Sequence, residues 1–198
     1  MSSGRSIILA SASPRRKEIL ERAGLKFKID PGDFEEKIRT ELSPRALARF
    51  LSLEKAKSVA GRHARAVIIA ADTFISFRGE ILGKPHTEEE AGRMLRMLNG
   101  REHSVITGYT ILDTETGKRV SRSVETKVFF RKLTLKEIDG YVASGEPLDK
   151  AGAYAIQGLG SVLVRKLEGD YLNVVGLPLA RLLADLEQFG IKVPGKKS

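Results

Sequence analysis

Val67-Ile68-Ile69-Ala70 is an unbroken apolar run that leads into Ala71-Asp72-Thr73. A strand wetted on one face alternates apolar and polar residues, whereas a continuous run marks a strand covered on both faces. Ile7-Ile8-Leu9-Ala10 reads as a second buried strand. It passes through Ser11-Ala12-Ser13 to a helix start at Pro14-Arg15-Arg16. Strands and helices then follow in mixed order, which points to an α/β or α+β fold with a cleft and away from a bundle or a sandwich.

The first helix is expected from Pro14 to Ala23, with Ser13 as its N-cap, Pro14 at its first position and Gly24 just past its end. Phe27 and Ile29 alternate with Lys26 and Lys28 as a half-buried strand. Ser43-Pro44 repeats the Ser-Pro helix start, and that helix carries Glu54-Lys55-Ala56. The strand from Val67 is expected to end at Asp72, with a hairpin from Phe74–Phe77 to Ile81-Leu82 across Arg78-Gly79. Thr87 with Glu90 and Thr134 with Glu137 have capping-box spacing. The helices they open turn Ala91, Met94, Leu95 and Leu98, and Leu135, Ile138, Tyr141 and Val142, inward. Strands fill His103 to Phe130, and a further strand is expected at Val162-Leu163-Val164. The last helix runs from Pro178 to Phe189, and residues 1–6 and 192–198 read as flexible tails of a single domain.

The loop after the first strand carries the first chemical signal. A helix N-terminus offers unpaired N–H groups and partial positive charge, and Arg15 and Arg16 add two guanidinium forks beside Ser11 and Ser13. That combination suits phosphate, although the spacing is not that of a P-loop. Asp72, at the end of a buried strand, needs a partner for its charge. It is a candidate metal ligand or base for water; the alternative is a cap for the next turn. Glu35 and Glu36 are a second carboxylate source, and oxygen-only ligands suit magnesium or manganese. Lys55, Lys84 in Gly83-Lys84-Pro85 and Lys150 are each ordinary surface lysines when taken singly, but with the arginines they have the charge to hold a triphosphate. Gln157, in the glycine-rich stretch Asp149 to Gly160, has the donor and acceptor needed to read a base edge. His63, His86 and His103 lack metal-ligand spacing and read as surface or supporting residues.

Composition narrows the class. The chain has no cysteine, which removes disulfides, thiolate metal sites and cysteine nucleophiles and fits a cytoplasmic protein. With 34 Lys and Arg against 25 Asp and Glu, the net charge of +9 suggests polyanionic partners. Those cations are spread along the chain without interleaved aromatics, so a small polyphosphate fits them at least as well as a nucleic acid. No apolar run approaches the length that spans a bilayer.

Seven blocks together resemble the Maf family of nucleotide pyrophosphatases. They are Ala10 to Arg16, Glu35-Glu36-Lys37, Glu54-Lys55-Ala56, Ala71-Asp72-Thr73, Gly83-Lys84-Pro85, Asp149 to Gly158, and Gly176-Leu177-Pro178-Leu179. The resemblance implies an ITPase-like α/β fold, a mixed sheet flanked by helices with two lobes around a deep cleft, assembled as a homodimer. It implies cleavage of a nucleoside triphosphate to the monophosphate and pyrophosphate with a divalent cation, Mg2+ or Mn2+. Asp72 is then the proton acceptor, and Arg15, Thr73 and Gln157 bear on substrate choice. The form Asp149-Lys150-Ala151-Gly152-Ala153-Tyr154 with Ile156-Gln157-Gly158 resembles the dTTP/UTP branch, not the 7-methyl-GTP branch. Phe74 departs from the pattern, standing where a smaller aliphatic residue is usual.

The mechanism expected from this is water attack on the α-phosphorus. Asp72 and Glu36, with Glu35 as the alternative, hold the metal. Ser11, Ser13, Arg15, Arg16, Lys55, Lys84 and Lys150 meet the phosphates, while Thr73 and Gln157 contact base and sugar. The rival readings are a pyrophosphatase for another modified nucleotide, a nucleic-acid or membrane-surface binder suggested by the charge, and a noncatalytic regulator of division. Neither a membrane nor a stable nucleic-acid partner is expected.

Overall fold

The computed structural model describes residues 5–34 and 41–192. Glu35 and Glu36 lie outside the described residues, as do most of the expected flexible tails. In chain order the elements are β1 (Ser6–Leu9), α1 (Pro14–Arg22), β2 (Lys28–Ile29), α2 (Pro44–Ala60), β3 (Ala66–Phe77), β4 (Glu80–Leu82) and α3 (Glu88–Leu98). There follow β5 (Glu102–Asp113), β6 (Arg119–Phe130), α4 (Leu135–Ala143), β7 (Val164–Glu168), α5 (Tyr171–Val175) and α6 (Leu179–Leu186). The strands form a mixed seven-stranded sheet in the order β2-β1-β3-β5-β6-β7, with β4 paired to β3, and helices flank it. The chain divides into two compact units, one of residues 1–72, 107–124 and 176–198, the other of residues 73–106 and 125–175.

In the first unit β1 pairs in parallel with both β2 and β3, placing Leu9 opposite Ile69. The pairing continues past the strand end, where the Ala10 N–H donates to the Ile69 carbonyl at 2.8 Å. The apolar runs behave as strands covered on both faces: Ile8, Ala10, Ile68 and Ala70 pack with Ala56 and Val59 of α2. Helix α2 lies close on β5. A Cβ placed on Gly108 would fall 1.9 Å from the Ala48 carbonyl oxygen, so glycine sets how near the helix comes. One turn on, the buried Ser52 and Thr110 hydroxyls bond at 2.9 Å, and Thr110 bonds onward to Ser121 at 2.8 Å. Asp185 ties α6 to the sheet, accepting from the Tyr109 hydroxyl and from Arg122, each at 2.6 Å. Burial and the Asp185 carboxylate push the Tyr109 phenol well above its usual range. The expected N-terminal tail is held at Arg5, which pairs with Asp113 and donates to the Phe189 carbonyl at 2.7 Å.

In the second unit α3 and α4 close an apolar core with Ile75, Phe77, Val105, Val128, Phe130 and Leu163. The Thr134 capping box is complete. Thr134 Oγ1 accepts from the Glu137 N–H at 3.2 Å, and Glu137 Oε2 accepts from the Thr134 N–H at 2.8 Å. The Arg131 guanidinium and those Thr134 donors hold the Glu137 carboxyl down at about 2. The Thr87 box is half made, because Glu90 accepts from the His86 N–H instead.

Several expectations need correction. β3 does not stop at Asp72 but runs on to Phe77. Leu135 opens α4 and is 66% exposed, since a helix's first residue has no preceding turn to cover it. Val162 belongs to a 3-10 segment, Gly158–Leu163, and β7 begins only at Val164. α5 was not foreseen.

One substitution made at two glycines tests this packing. Gly108→Ala is expected to cost about 3 kcal/mol, because the atoms it meets are backbone and α2 must move. Gly140→Ala, in α4 with nothing within 4 Å of its would-be Cβ, is expected to raise stability by roughly 0.5–1 kcal/mol. Thermal denaturation measures both, and equal effects would contradict the close approach of α2 to β5.

Candidate active site

Asp72 lies within β3, four residues beyond Ile68, and is 6% exposed. A carboxylate inside a strand keeps its charge only with a partner, and Lys55 supplies it by donating from Nζ to Asp72 Oδ1. Lys55 reaches Asp72 because α2 is fixed along one face: Ala48 against Gly108, Ser52 on Thr110, then Lys55 three residues on. The ammonium is itself largely covered, with its side chain 16% exposed, so the pair is a desolvated one.

The Ser11 loop belongs to the same unit. Ser11 is buried, and its hydroxyl accepts from the Ser13 N–H at 3.3 Å and from Arg16 at 3.1 Å. Arg16 also donates through Nε to the Gly176 carbonyl at 2.9 Å, which joins the loop to the block that precedes α6. Ser13 occupies the N-cap position of α1, but its side chain makes no cap hydrogen bond. The expected side-chain cap is not made; Ser11 bonds the N–H of Ser13 itself, which lies before the first helical residue. Arg15 is half-buried and makes no side-chain hydrogen bond or ion pair among the described residues. Arg16 is thus the structural arginine of the two, and Arg15 the one with its donors uncommitted.

The other candidates sit in the second unit. Thr73 follows Asp72 in β3 and is half-buried. Gly152 ties the glycine-rich segment to Gly83, its N–H donating to the Gly83 carbonyl at 2.8 Å, one residue before Lys84. At Gly152 the backbone has φ +65°, and a Cβ would meet Ile75 Cδ1 at 2.2 Å, so this turn needs glycine. Lys150 pairs with its neighbour Asp149. Lys84 is exposed, Gln157 is half-buried, and neither makes a side-chain hydrogen bond among the described residues. The structure thus brings together Lys55 with Asp72 and Ser11 with Arg16, and in the second unit sets the Lys150–Gln157 segment beside Gly83.

Among the described residues no three His, Asp or Glu side chains cluster as a metal site. Asp72 supplies one hard oxygen donor group, with Oδ1 engaged by the Lys55 ammonium. That donor chemistry fits magnesium or manganese with further ligands from substrate and water. Of the two readings of His103, surface or supporting, the structure excludes the first: it is 3% exposed, with Nε2 2.7 Å from the Tyr154 hydroxyl. Its alternation with Val105 along β5 is the signal that marks it as buried.

Comparison with known proteins places this arrangement. The Maf-like protein family matches over residues 6–189. A dTTP/UTP pyrophosphatase of Bacillus mycoides is 51% identical over 185 residues, covering 93% of this chain and 96% of the relative. One from Geobacillus is 50% identical, covering 94% and 99%, and one from Bacillus cereus 49%, covering 96% and 98%.

The buried pair makes a stability prediction. Lys55→Ala is expected to cost about 3 kcal/mol, because it leaves Asp72 charged without a counter-ion, and adding Asp72→Asn is expected to return most of that loss. Urea denaturation of the wild type, the single variants and the double variant measures the coupling. A double variant no more stable than Lys55→Ala would show that the pair is not what holds the carboxylate.

Proposed function

The chain belongs to the Maf-like protein family, and on that premise we propose that it is a nucleoside triphosphate pyrophosphatase that converts dTTP and UTP to their monophosphates and pyrophosphate. The observation that carries the reading is identity at about half of all positions, over more than nine-tenths of both chains, to dTTP/UTP pyrophosphatases. In this reading the buried Asp72 carboxylate, held by Lys55, is the proton acceptor.

In the reaction, a water oxygen bonds to the α-phosphorus as the bond to the α–β bridging oxygen breaks. Pyrophosphate leaves with that electron pair, and a water proton passes to an Asp72 carboxylate oxygen. Lys55 holds that carboxylate in place and adds positive charge. Arg15, Lys84 and Lys150, with Arg16 bracing the Ser11 loop, balance charge on the phosphates. Ser11 and Ser13 bind the phosphates, while Thr73 and Gln157 contact the sugar and base. A magnesium or manganese ion would be held by Asp72 with Glu36, or Glu35 in its place, and would neutralise charge on the phosphate oxygens. A homodimer in the cytoplasm completes the reading. Among the described residues no helix is long and apolar enough to cross a membrane. Light scattering tests the dimer.

A panel of nucleoside triphosphates with magnesium or manganese, followed by pyrophosphate release, tests the activity. dTTP and UTP are expected to turn over fastest, and chelation to stop them. Asp72→Asn is expected to lower kcat by about a thousandfold or more while the folded state persists. Substantial residual turnover would remove Asp72 as the base. Gln157→Ala is expected to change the dTTP to GTP rate ratio several-fold, and an unchanged ratio would exclude Gln157 from base selection.

A further inference from the structure

Three aromatic rings meet beneath the Lys150–Gln157 segment. His103, Phe130 and Tyr154 pack edge to face, with centroids 4.7 to 5.4 Å apart. All three are buried, His103 at 3% exposure and Tyr154 at 5%. Tyr154 is the buried anchor of a segment whose two ends carry Lys150 and Gln157.

The protons in this cluster follow from the strengths of its donors and acceptors. Burial lowers His103 to about 4 and raises the Tyr154 phenol, so both groups are neutral near pH 7. One bond of 2.7 Å joins them through Nε2, and the buried Nδ1 has no partner among the described residues. If Nε2–H donated, the Tyr154 hydroxyl hydrogen and the Nδ1 lone pair would both be left unmet. If the Tyr154 hydroxyl donates to Nε2, Nδ1–H and the phenol oxygen lone pair are left instead, so the two counts are equal. Bond strength separates them: a phenol O–H donates better than an imidazole N–H and an imidazole nitrogen accepts better than a phenol oxygen, so Tyr154 donates and His103 carries its proton on Nδ1.

The segment held by this bond is itself strained. Ala153, next to Tyr154, has φ +63°, in the left-handed region that disfavours a side chain. Such a residue persists where its surroundings over-determine it. On one side Gly152 is bonded to Gly83; on the other the Ala155 N–H donates to the Tyr141 hydroxyl at 3.2 Å. The His103 bond lies between these two.

We propose that His103 is a positioning residue that acts through Tyr154 to hold the Lys150–Gln157 segment in its substrate-binding form. The proposal rests on the pyrophosphatase reading for its kinetic consequence alone. The bond itself is open to measurement without substrate.

The test uses Tyr154→Phe, which removes one oxygen; His103→Phe, which keeps a ring without an acceptor; and His103→Gln, whose amide oxygen can accept from Tyr154. Each phenylalanine variant is expected to raise KM for dTTP roughly tenfold with kcat nearly unchanged, as for loss of one buried hydrogen bond. The double phenylalanine variant is expected to be no worse than either single, since both remove the same bond. His103→Gln is expected to recover most of the loss. An unchanged KM in Tyr154→Phe, or additive losses, would overturn the proposal. Without substrate, imidazole nitrogen NMR is expected to show His103 with its proton on Nδ1 in the wild type. Amide exchange at Gly152 and Ala155 is expected to speed up in Tyr154→Phe. If the wild type fails to cleave dTTP, the pyrophosphatase reading falls and the exchange rates alone decide, unchanged protection overturning the positioning role. If His103→Phe fails to fold, Tyr154→Phe and His103→Gln carry the comparison.

Discussion

A carboxylate set in the interior of a buried strand is the constraint to which its surroundings answer. Asp72 lies on β3 with almost no contact with water, and the low-dielectric surroundings make an uncompensated charge there costly. Lys55 offsets that cost, but a lysine has a flexible four-carbon stem and two charges out of water attract usefully only in a fixed geometry. Placing α2 is therefore the structural problem that the first unit solves. Gly108 lets the helix backbone approach β5 to contact, and the Ser52–Thr110–Ser121 hydroxyl chain fixes its rotation. Ala48, Ser52 and Lys55 are successive members of one helix face, so the two contacts that seat the helix also aim the ammonium.

The same economy holds at the Ser11 loop. Its two arginines are adjacent in sequence and have different surroundings. Arg16 is committed to Ser11 and to the Gly176 carbonyl, which stiffens the loop and ties it to the segment before α6. Arg15 makes no side-chain hydrogen bond or ion pair among the described residues. The phosphate-binding role proposed for this loop would use both: a guanidinium that fixes the backbone and another that meets the ligand without first breaking an internal bond.

How much of this was legible in the sequence depends on the range of the interaction concerned. The apolar runs at Ile7 and Val67 announced buried strands, and the Thr134–Glu137 spacing announced a complete capping box, because these signals involve neighbours in the chain. Asp72 was singled out but misplaced at a strand end. A charged residue ordinarily interrupts a buried strand, and the lysine that permits it lies on another element, 17 residues away. Periodicity turns Leu135 inward and an apolar run places Val162 in a strand, but neither signal carries information on where a helix begins or where a 3-10 turn replaces a strand. The absence of metal-ligand spacing leaves His103 as a surface or supporting residue, and its alternation along β5 points to the buried face. The roles proposed for Glu35 and Glu36 fall outside the described residues.

The two units use glycine for opposite ends. At Gly108 the missing Cβ admits a helix, and nothing about the strand is distorted. At Gly152 it admits a left-handed backbone next to Ile75, and the strain continues into Ala153, which has a Cβ and adopts the same region. A segment built this way does not hold its shape by local preference; left alone it would relax toward ordinary backbone. Its conformation must be imposed from outside by the Gly83 carbonyl, the Tyr141 hydroxyl and the His103 ring. The Tyr141 hydroxyl is in turn fixed by donating to Glu146 at 2.8 Å, and Glu146 also accepts from the Leu159 and Gly160 N–H groups beyond Gln157. Side chains on β5, α4 and the turn after α4 therefore determine how Lys150 and Gln157 are presented, even though none of them stands next to either residue in the chain. Any selectivity that Gln157 carries would for that reason be a property of this whole clamp, and changes in the buried polar groups beneath it would reach Lys150 and Gln157 together.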